Sequence, residues 1–464
     1  MNLQKAESQH KIMTETGIRP LILRFGAPTM VGLVVIALYS LADAFFVSEL
    51  GTAAGAAVGV TFAITALLQA VGYTLGLGAG SLMSRSLGSR KGDEASAYAK
   101  IAFWLSLFAG SVIMAVGLFW GGPVIRFLGA NESIYPLALA YSHYLFLSAP
   151  FMCGTFVLSQ LLRAEGKALY SMFGLVGGSL LNIILDPLLI TTLHMGIAGA
   201  SCATLISQLV SFLILLSAYL FHHSQIRLFR KFSLRDFTKS GKILVTGLPS
   251  SFRQGLIALS TILLNHATAP WSDAAVAAVS VVTRLFLLVF AVCLGVGQGM
   301  MPVAGYNYGS EKYDRVLSAY RFSMLLATFL MLVISIPMMI FAPQLIGFFR
   351  NDREVIAIGT VALRAQSAVL VLHGLITCTL LILQALGKSF SASLLASARQ
   401  GVFFLPLIFL LPSYFGIESV IFVQPIADGL TFLFAIPFAV HATKHLKQKT
   451  AEGSQDPHRG TMSN

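Results

Sequence analysis

Twelve apolar stretches of membrane-crossing length run through this chain, and they leave it few folds to choose from. They lie at about 20–47, 53–84, 95–121, 137–162, 168–193, 197–221, 241–269, 274–303, 317–342, 355–384, 389–412 and 416–442. One helix needs roughly 20 mostly apolar residues to cross the hydrocarbon of a bilayer. Inside that layer each backbone N–H and C=O must be satisfied within the segment, so such stretches fold as helices. The expectation is an all-α polytopic membrane protein. Composition agrees: 56% of the 464 residues are hydrophobic and 11% are charged, where soluble domains carry about 25% charged residues.

A net charge of +12 invites a nucleic-acid reading. The basic residues, however, sit in loops between apolar runs rather than on one soluble face, which argues against that partner. They sort by side. With the N-terminus placed in the cytoplasm, 24 of the 31 Lys and Arg fall in inner flanks and only Arg126, Arg350 and Arg353 in outer ones. Arg253, Arg284, Arg364 and Arg399 fall within segments. This is a strong positive-inside bias. It predicts cytoplasmic termini and a cytoplasmic loop "FHHSQIRLFRKFSLRDFTKSGK" between segments six and seven. Cys153, Cys202, Cys293 and Cys378 lie far apart in apolar segments, a pattern of reduced thiols rather than of a disulfide or metal site. The N-terminus "MNLQKAESQHKIMTETGIRP" has no apolar signal-peptide core. The polar end "KHLKQKTAEGSQDPHRGTMSN" reads as disordered.

The chain also repeats itself. A shift of 221 residues superposes Gly26 and Pro28 on Gly247 and Pro249, Gly76 and Gly78 on Gly297 and Gly299, and Gly166 and Lys167 on Gly387 and Lys388. It carries "GSRKGD" at 88–93 onto "GSEKYD" at 309–314. Loop residues take part, so shared apolar composition does not explain the match. The organisation expected is a tail (1–19), an N-lobe of six helices (20–221), a basic linker (222–240), a C-lobe of six helices (241–442) and a second tail (443–464). Parallel repeats about an axis along the membrane normal are a transporter architecture, with a central cavity that opens to either side in turn.

Three acids, Asp43, Asp186 and Asp428, lie deep in apolar segments. An acid at a helix centre costs about 2.5–3.5 kcal/mol on insertion scales, and such residues usually face a cavity and couple ions. The plainer reading is a neutral acid that hydrogen-bonds helices together. Two of the three share the N-lobe. Tyr39 and Asp43, Asn182 and Asp186, and Thr204 and Gln208 are each four residues apart, hence one turn apart on a helix face. Together they offer oxygens for a shared proton or a small cation. The repeat supplies a control, because Asp43 falls on Leu264 and Asp186 on the "LPL" at 405–407. Acids needed merely to build a half would recur in both, so coupling is expected in the N-lobe. Asp428, Gln208, Gln254 and Arg284 are candidates for a secondary polar site. Pro28, inside the first segment, permits a bend; a fixed kink near the membrane entrance is the plainer reading.

These features resemble the multidrug and toxic compound extrusion (MATE) family, bacterial multidrug subgroup. The resemblance rests on "YSLADAFFVSELG", "GLGAGSLMSRSLGSRKGDEA", "LLRAEGKALYSM", "LNIILDP", "GIAGASCATLISQ" and "GQGMMPVAGYNYG", in order across about residues 15–445. It implies a V-shaped exporter of twelve helices in two lobes, an antiporter rather than an enzyme, driven by inward H⁺ or Na⁺. It needs no cofactor beyond that coupling ion. In the branch that couples through its N-lobe, Tyr39, Asp43, Asn182, Asp186 and Thr204 match the proton or cation site, with Na⁺ held by Asp43, Asn182, Asp186 and Thr204. Pro28 matches the proline at which the first helix is proposed to bend. The other branch keeps acids in the seventh and tenth helices, where this chain has Gln254 and none. The cargo implied is small, amphipathic organic cations, moved by a monomer in the bilayer of a bacterial cytoplasmic (inner) membrane.

One rival is a lipid-linked or polysaccharide flippase of the same superfamily, whose phosphate Arg253, Arg284 and Arg399 would face. A major-facilitator transporter should read close to GxxxDRxGRR after its second helix, and "GSRKGDEA" does not. No HExxH or GxSxG motif supports a membrane enzyme.

Overall fold

The computed structural model describes residues 2–221, 224–229, 237–268 and 270–454. Among them the chain is helical throughout. A short helix, Asn2–Glu15, precedes six spans: Ile18–Ser48, Thr52–Gly88, Gly92–Phe127, Tyr135–Ala164, Ala168–Thr192 and Ile197–Leu220. Six more follow: Ser240–Thr268, Asp273–Gly309, Tyr313–Ile340, Arg353–Ala385, Ser389–Phe415 and Val420–Ser454. Eleven helices among the described residues are long and apolar enough to cross a membrane. The seventh span, with Lys242, Arg253, Gln254, Asn265 and His266 in its 29 residues, is the less apolar twelfth. Several are longer than lipid requires: the 37 residues of span 2 extend about 55 Å at 1.5 Å each, against a hydrocarbon layer of about 30 Å.

The 221-residue repeat is visible as reciprocal contacts between the lobes. Ser89 Oγ donates to Gly309 O at 2.8 Å, and its repeat mate Ser310 Oγ donates to Gly88 O at 2.9 Å. Gly26 of span 1 packs on Gly299 of span 8, while their mates Gly247 and Gly78 pack together in spans 7 and 2. Arg90 and Glu311, also mates, both turn the chain with positive φ, at 58° and 57°. Gly166 and Gly387 do so at 91° and 76°, a region glycine enters without steric cost. Among the described residues, the hydrogen bonds that join the lobes lie at mid-depth or on the side of the termini. They include Ser81 to Gln384 O, Gln254 to Gln69, and Arg163 to Gln298. The molecule is shut on that side.

Three stretches differ from the sequence expectation. Arg163, placed above with the loop cations, is buried at 3% exposure. Its guanidinium is tolerated there because it donates to Ser159, Ser171 and Gln298. The last helix runs on through the polar tail to Ser454, carried by good helix formers and anchored by the buried Leu446; residues 455–464 lie outside the described residues, as do 222–223 and 230–236 of the linker. The N-terminal stretch folds as a helix across the closed side. Asn307 and Arg315 donate to Met13 O, Lys312 to Thr14 O and Arg315 to Thr16 O.

That docking carries a pH dependence. His10 meets the Tyr306 hydroxyl at 3.3 Å. Burial, with Arg90 and Lys312 nearby, holds its pKa below the usual 6.5 against the weaker pull of Glu15 and Glu7. The released helix therefore binds a proton more readily than the docked one, and docking weakens as pH falls. Amide protection over residues 2–15, each rate taken relative to the intrinsic rate at the same pH, should be lower at about pH 5 than at about pH 8, and His10→Gln should remove most of that difference. Equal protection at both pH values in the unmodified protein would refute this.

Candidate functional site

Spans 1, 5 and 6 bring the N-lobe candidates together in the half of the membrane away from the termini. Tyr39 and Asp43 stand one turn apart on span 1, and Asn182 and Asp186 one turn apart on span 5. Asp186 is fully buried and Asn182 is 1% exposed. With its amide turned so that both ends are satisfied, Asn182 donates to Asp186 Oδ2 and accepts from the Thr204 backbone N–H, each at 3.2 Å. Thr204 donates its hydroxyl to Ala200 O at 3.2 Å. Asp43, Asp186, Tyr39 and Tyr141 of span 4 lie within electrostatic reach of one another. Among the described residues, neither Asp43 Oδ1 nor Asp186 Oδ1 has a hydrogen-bond partner, although both are buried. An unsatisfied acceptor in the interior costs about 1–3 kcal/mol, so the site is short of a donor.

A pocket of about 30 Å³ adjoins these groups, lined by Tyr39, Asn182, Thr204 and Gln208 together with Gln69 and Ser179. It suits one water or one small cation and is an order of magnitude too small for a drug. Behind Asp186 the helix loosens: Pro187 lacks an N–H, and Leu188–Thr192 widens into a π turn, a distortion common at functional sites. Among the described residues no three His, Cys, Asp or Glu cluster in a way that would hold a metal ion. A cation here would have to use the two carboxylates with neutral oxygens.

Of the remaining candidates, all but Gln254 lie apart from this cluster. Gln254 reaches it from the other lobe, donating to Gln69 at 3.0 Å. Pro28 is buried near the interface, where Gly26 and Met30 meet span 8; its 15-residue separation from Asp43 is about 22 Å of helix. Span 1 continues through it as one helix. Arg284 is exposed and lines a cavity in the C-lobe. Asp428, fully buried, sits beside that cavity in a network the sequence did not reveal. It accepts from Arg399 Nε at 2.6 Å and from Gln366 and Gln424 at 2.8 Å each, with His373 Nε2 at 3.4 Å. Arg399 lies in a second π turn, Ala398–Phe403, and His373 follows the 3₁₀ turn Leu370–Leu372. Breaking such a buried pair by removing one partner costs about 3–5 kcal/mol.

Comparison with known proteins follows the same two-lobed pattern. The MatE family model matches twice, over residues 28–188 and 249–410, and the two matches begin 221 residues apart. The multidrug export protein MepA of Staphylococcus aureus (strain MRSA252) is 26% identical over 432 residues, 93% of this chain and 95% of that protein. MepA of Staphylococcus saprophyticus is 27% identical over 420 residues, 89% and 92% of the two chains. A solved structure described as the outward-facing conformation of a multidrug resistance MATE family transporter superposes with a TM-score of 0.88 at 28% identity, covering 94% of this chain and 98% of that one.

Proposed function

The chain belongs to the MatE family, the multidrug and toxic compound extrusion transporters, and on that footing we propose that it is a proton-coupled exporter working through its N-lobe acids. It is a multidrug efflux transporter, like the export proteins and MATE structures it matches along nearly its whole length. Its cargo is small, amphipathic organic compounds, many of them cationic. It works as a monomer in a bacterial cytoplasmic membrane, with both termini in the cytoplasm.

One observation carries the choice of ion. Two buried carboxyl oxygens from different spans, Asp43 Oδ1 and Asp186 Oδ1, lack a donor. The neighbouring Asn182 carbonyl and Thr204 hydroxyl are already engaged. A shared proton supplies the missing donor with no further ligand. Na⁺ would have to gather the two carboxylates with Ser207 Oγ and Gln208 Oε1, the other unpartnered oxygens of the pocket lining, whereas one proton meets the need by itself. Two like charges in a dry site repel strongly, so a proton arriving from the open side relaxes the site. Span 1 then shifts against spans 5 and 6, with Pro28 as its bend, and cargo leaves outward. The lobes rock to open on the termini side, the proton is lost there, and the next cargo binds.

The test is dye export in inside-out vesicles, with the pH and Na⁺ gradients imposed separately. A pH gradient alone should drive uptake of a cationic dye into the vesicles, and a Na⁺ gradient at equal pH should not. Uptake driven by Na⁺ alone would overturn the proton assignment while leaving the efflux reading in place.

A further inference from the structure

The C-lobe cavity has the wrong charge for a cation. Its volume is about 340 Å³, within the roughly 300–1,000 Å³ of small-molecule sites and too small for a lipid-linked saccharide. Spans 7, 8, 10, 11 and 12 enclose it, and Phe62 of the N-lobe borders it. Phe286, Phe290, Leu287 and Phe404 give it apolar and aromatic walls, and Arg284 and Arg399 also line it.

Asp428, the acid that pairs with Arg399, is not among the lining residues. Both of its oxygens are occupied: Oδ1 by Arg399 Nε and Gln424, Oδ2 by Gln366 and by Arg399 Nη2 at 3.4 Å. It is therefore spent on holding Arg399 in place. The Arg399 guanidinium lies over the Phe286 ring at 4.7 Å and the Phe290 ring at 5.6 Å, so its position is set by packing on one side and by Asp428 on another. Arg284, about one turn of span 8 before Leu287, is exposed. Arg253 of span 7 is close enough to Arg399 to add to the positive field. Three arginines thus stand against one aspartate, with His373 behind the pair. The N-lobe cluster is the reverse: two carboxyls stand beside a pocket whose lining holds no arginine.

We propose that this cavity is a second binding site, taking the carboxylate end of an aromatic amphiphile, with Arg284 as the anchor and the Phe286–Phe290 wall receiving the rings. A guanidinium matches a carboxylate with paired, charge-assisted hydrogen bonds, and it is less costly to desolvate than an ammonium. That such a ligand is also exported rests on the efflux reading above; its binding does not.

The test uses the full chain in lipid nanodiscs, titrated with pyrenebutyrate and with its uncharged methyl ester. Pyrene fluorescence is the readout, with empty nanodiscs subtracted. The acid should bind about tenfold more tightly than the ester, the size of one charge-assisted contact. Arg284→Gln should bring the two within about threefold by weakening only the acid, and Arg284→Lys should keep most of the preference. Asp186→Asn, which removes proton coupling on the earlier reading, should leave the preference intact. Equal binding of acid and ester by the unmodified protein overturns the proposal. So does a preference that survives Arg284→Gln, or one lost equally in Arg284→Lys.

Discussion

Cells carrying the Asp186→Asn protein should accumulate cationic dye to the level of cells without the transporter, while the amount of folded protein in the membrane stays unchanged. Asn has nearly the same volume and still offers an oxygen to the Asn182 amide, now at 3.2 Å from Asp186 Oδ2. The stability change should therefore be about 1 kcal/mol or less. What disappears, on the proposed mechanism, is the group that takes up and gives back the proton. One proton moved inward down roughly 150 mV delivers about 3.5 kcal/mol, which offsets the pull of the same potential on a monovalent cation and keeps its accumulation several-hundred-fold below that of an uncoupled dye. Without it the dye should equilibrate with the potential, as in cells that lack the transporter. Asp43→Asn should do the same, and the double variant should be no worse than either, because the two acids act as one unit. Dye binding to the purified Asp186→Asn protein should persist. Efflux at the normal rate from that variant would end the coupling argument.

How far such residues can be read without coordinates depends on whether the signal is local. Asp43 and Asp186 stand out because a carboxyl in an aliphatic run is costly wherever the helix goes. The repeat stands out because tight turns need particular residues: Gly88 and Ser89 and their mates Gly309 and Ser310 had to recur if the turns recurred. The C-lobe network had no such mark. Gln366 and His373 are on span 10, Arg399 on span 11 and Asp428 on span 12, and only folding brings them to one point. Arg399 and His373 did carry a weaker form of the same signal, a polar group inside an apolar run, and pairing each with Asp428, the C-lobe acid deep in such a run, would have found them. Tyr141 could not be found this way. Its phenol is unremarkable in sequence, and its place near Asp43 and Asp186 comes from the packing of span 4 against the other N-lobe spans. Arg163 was misplaced because charge counting assigns a cation near a span end to water, whereas two serines and Gln298 solvate it inside.

The closed side of the molecule makes the second large prediction. A Cβ added at Gly88 would meet Tyr306 O, with the Tyr306 carbonyl carbon at 2.9 Å; one added at Gly309 would meet Arg85 O, with the Arg85 carbonyl carbon at 2.9 Å. These neighbours are backbone, so neither can swing away, and both belong to the opposite lobe. The contacts exist only while the termini side is shut. Alanine at both positions therefore penalises the shut state and leaves a state open on that side untouched. At about 1–3 kcal/mol for each forced contact, the balance between the two states should move by roughly 30-fold to 25,000-fold. Ser84, fully buried beneath this seam, reports the change. In a Ser84→Cys, Cys202→Ser background, a membrane-impermeant maleimide added from the termini side should react slowly. It should react at least about tenfold faster once Gly88→Ala and Gly309→Ala are added. Export should fall in parallel, because a carrier that cannot close behind its cargo cannot open ahead of it. Gly59→Ala is the control on the same span, since a Cβ there has nothing within 4 Å, and it should change neither labelling nor export. Unchanged Ser84→Cys labelling with full export in the double-alanine protein would mean that the lobes do not part along this seam, and that the transport cycle turns on some other motion.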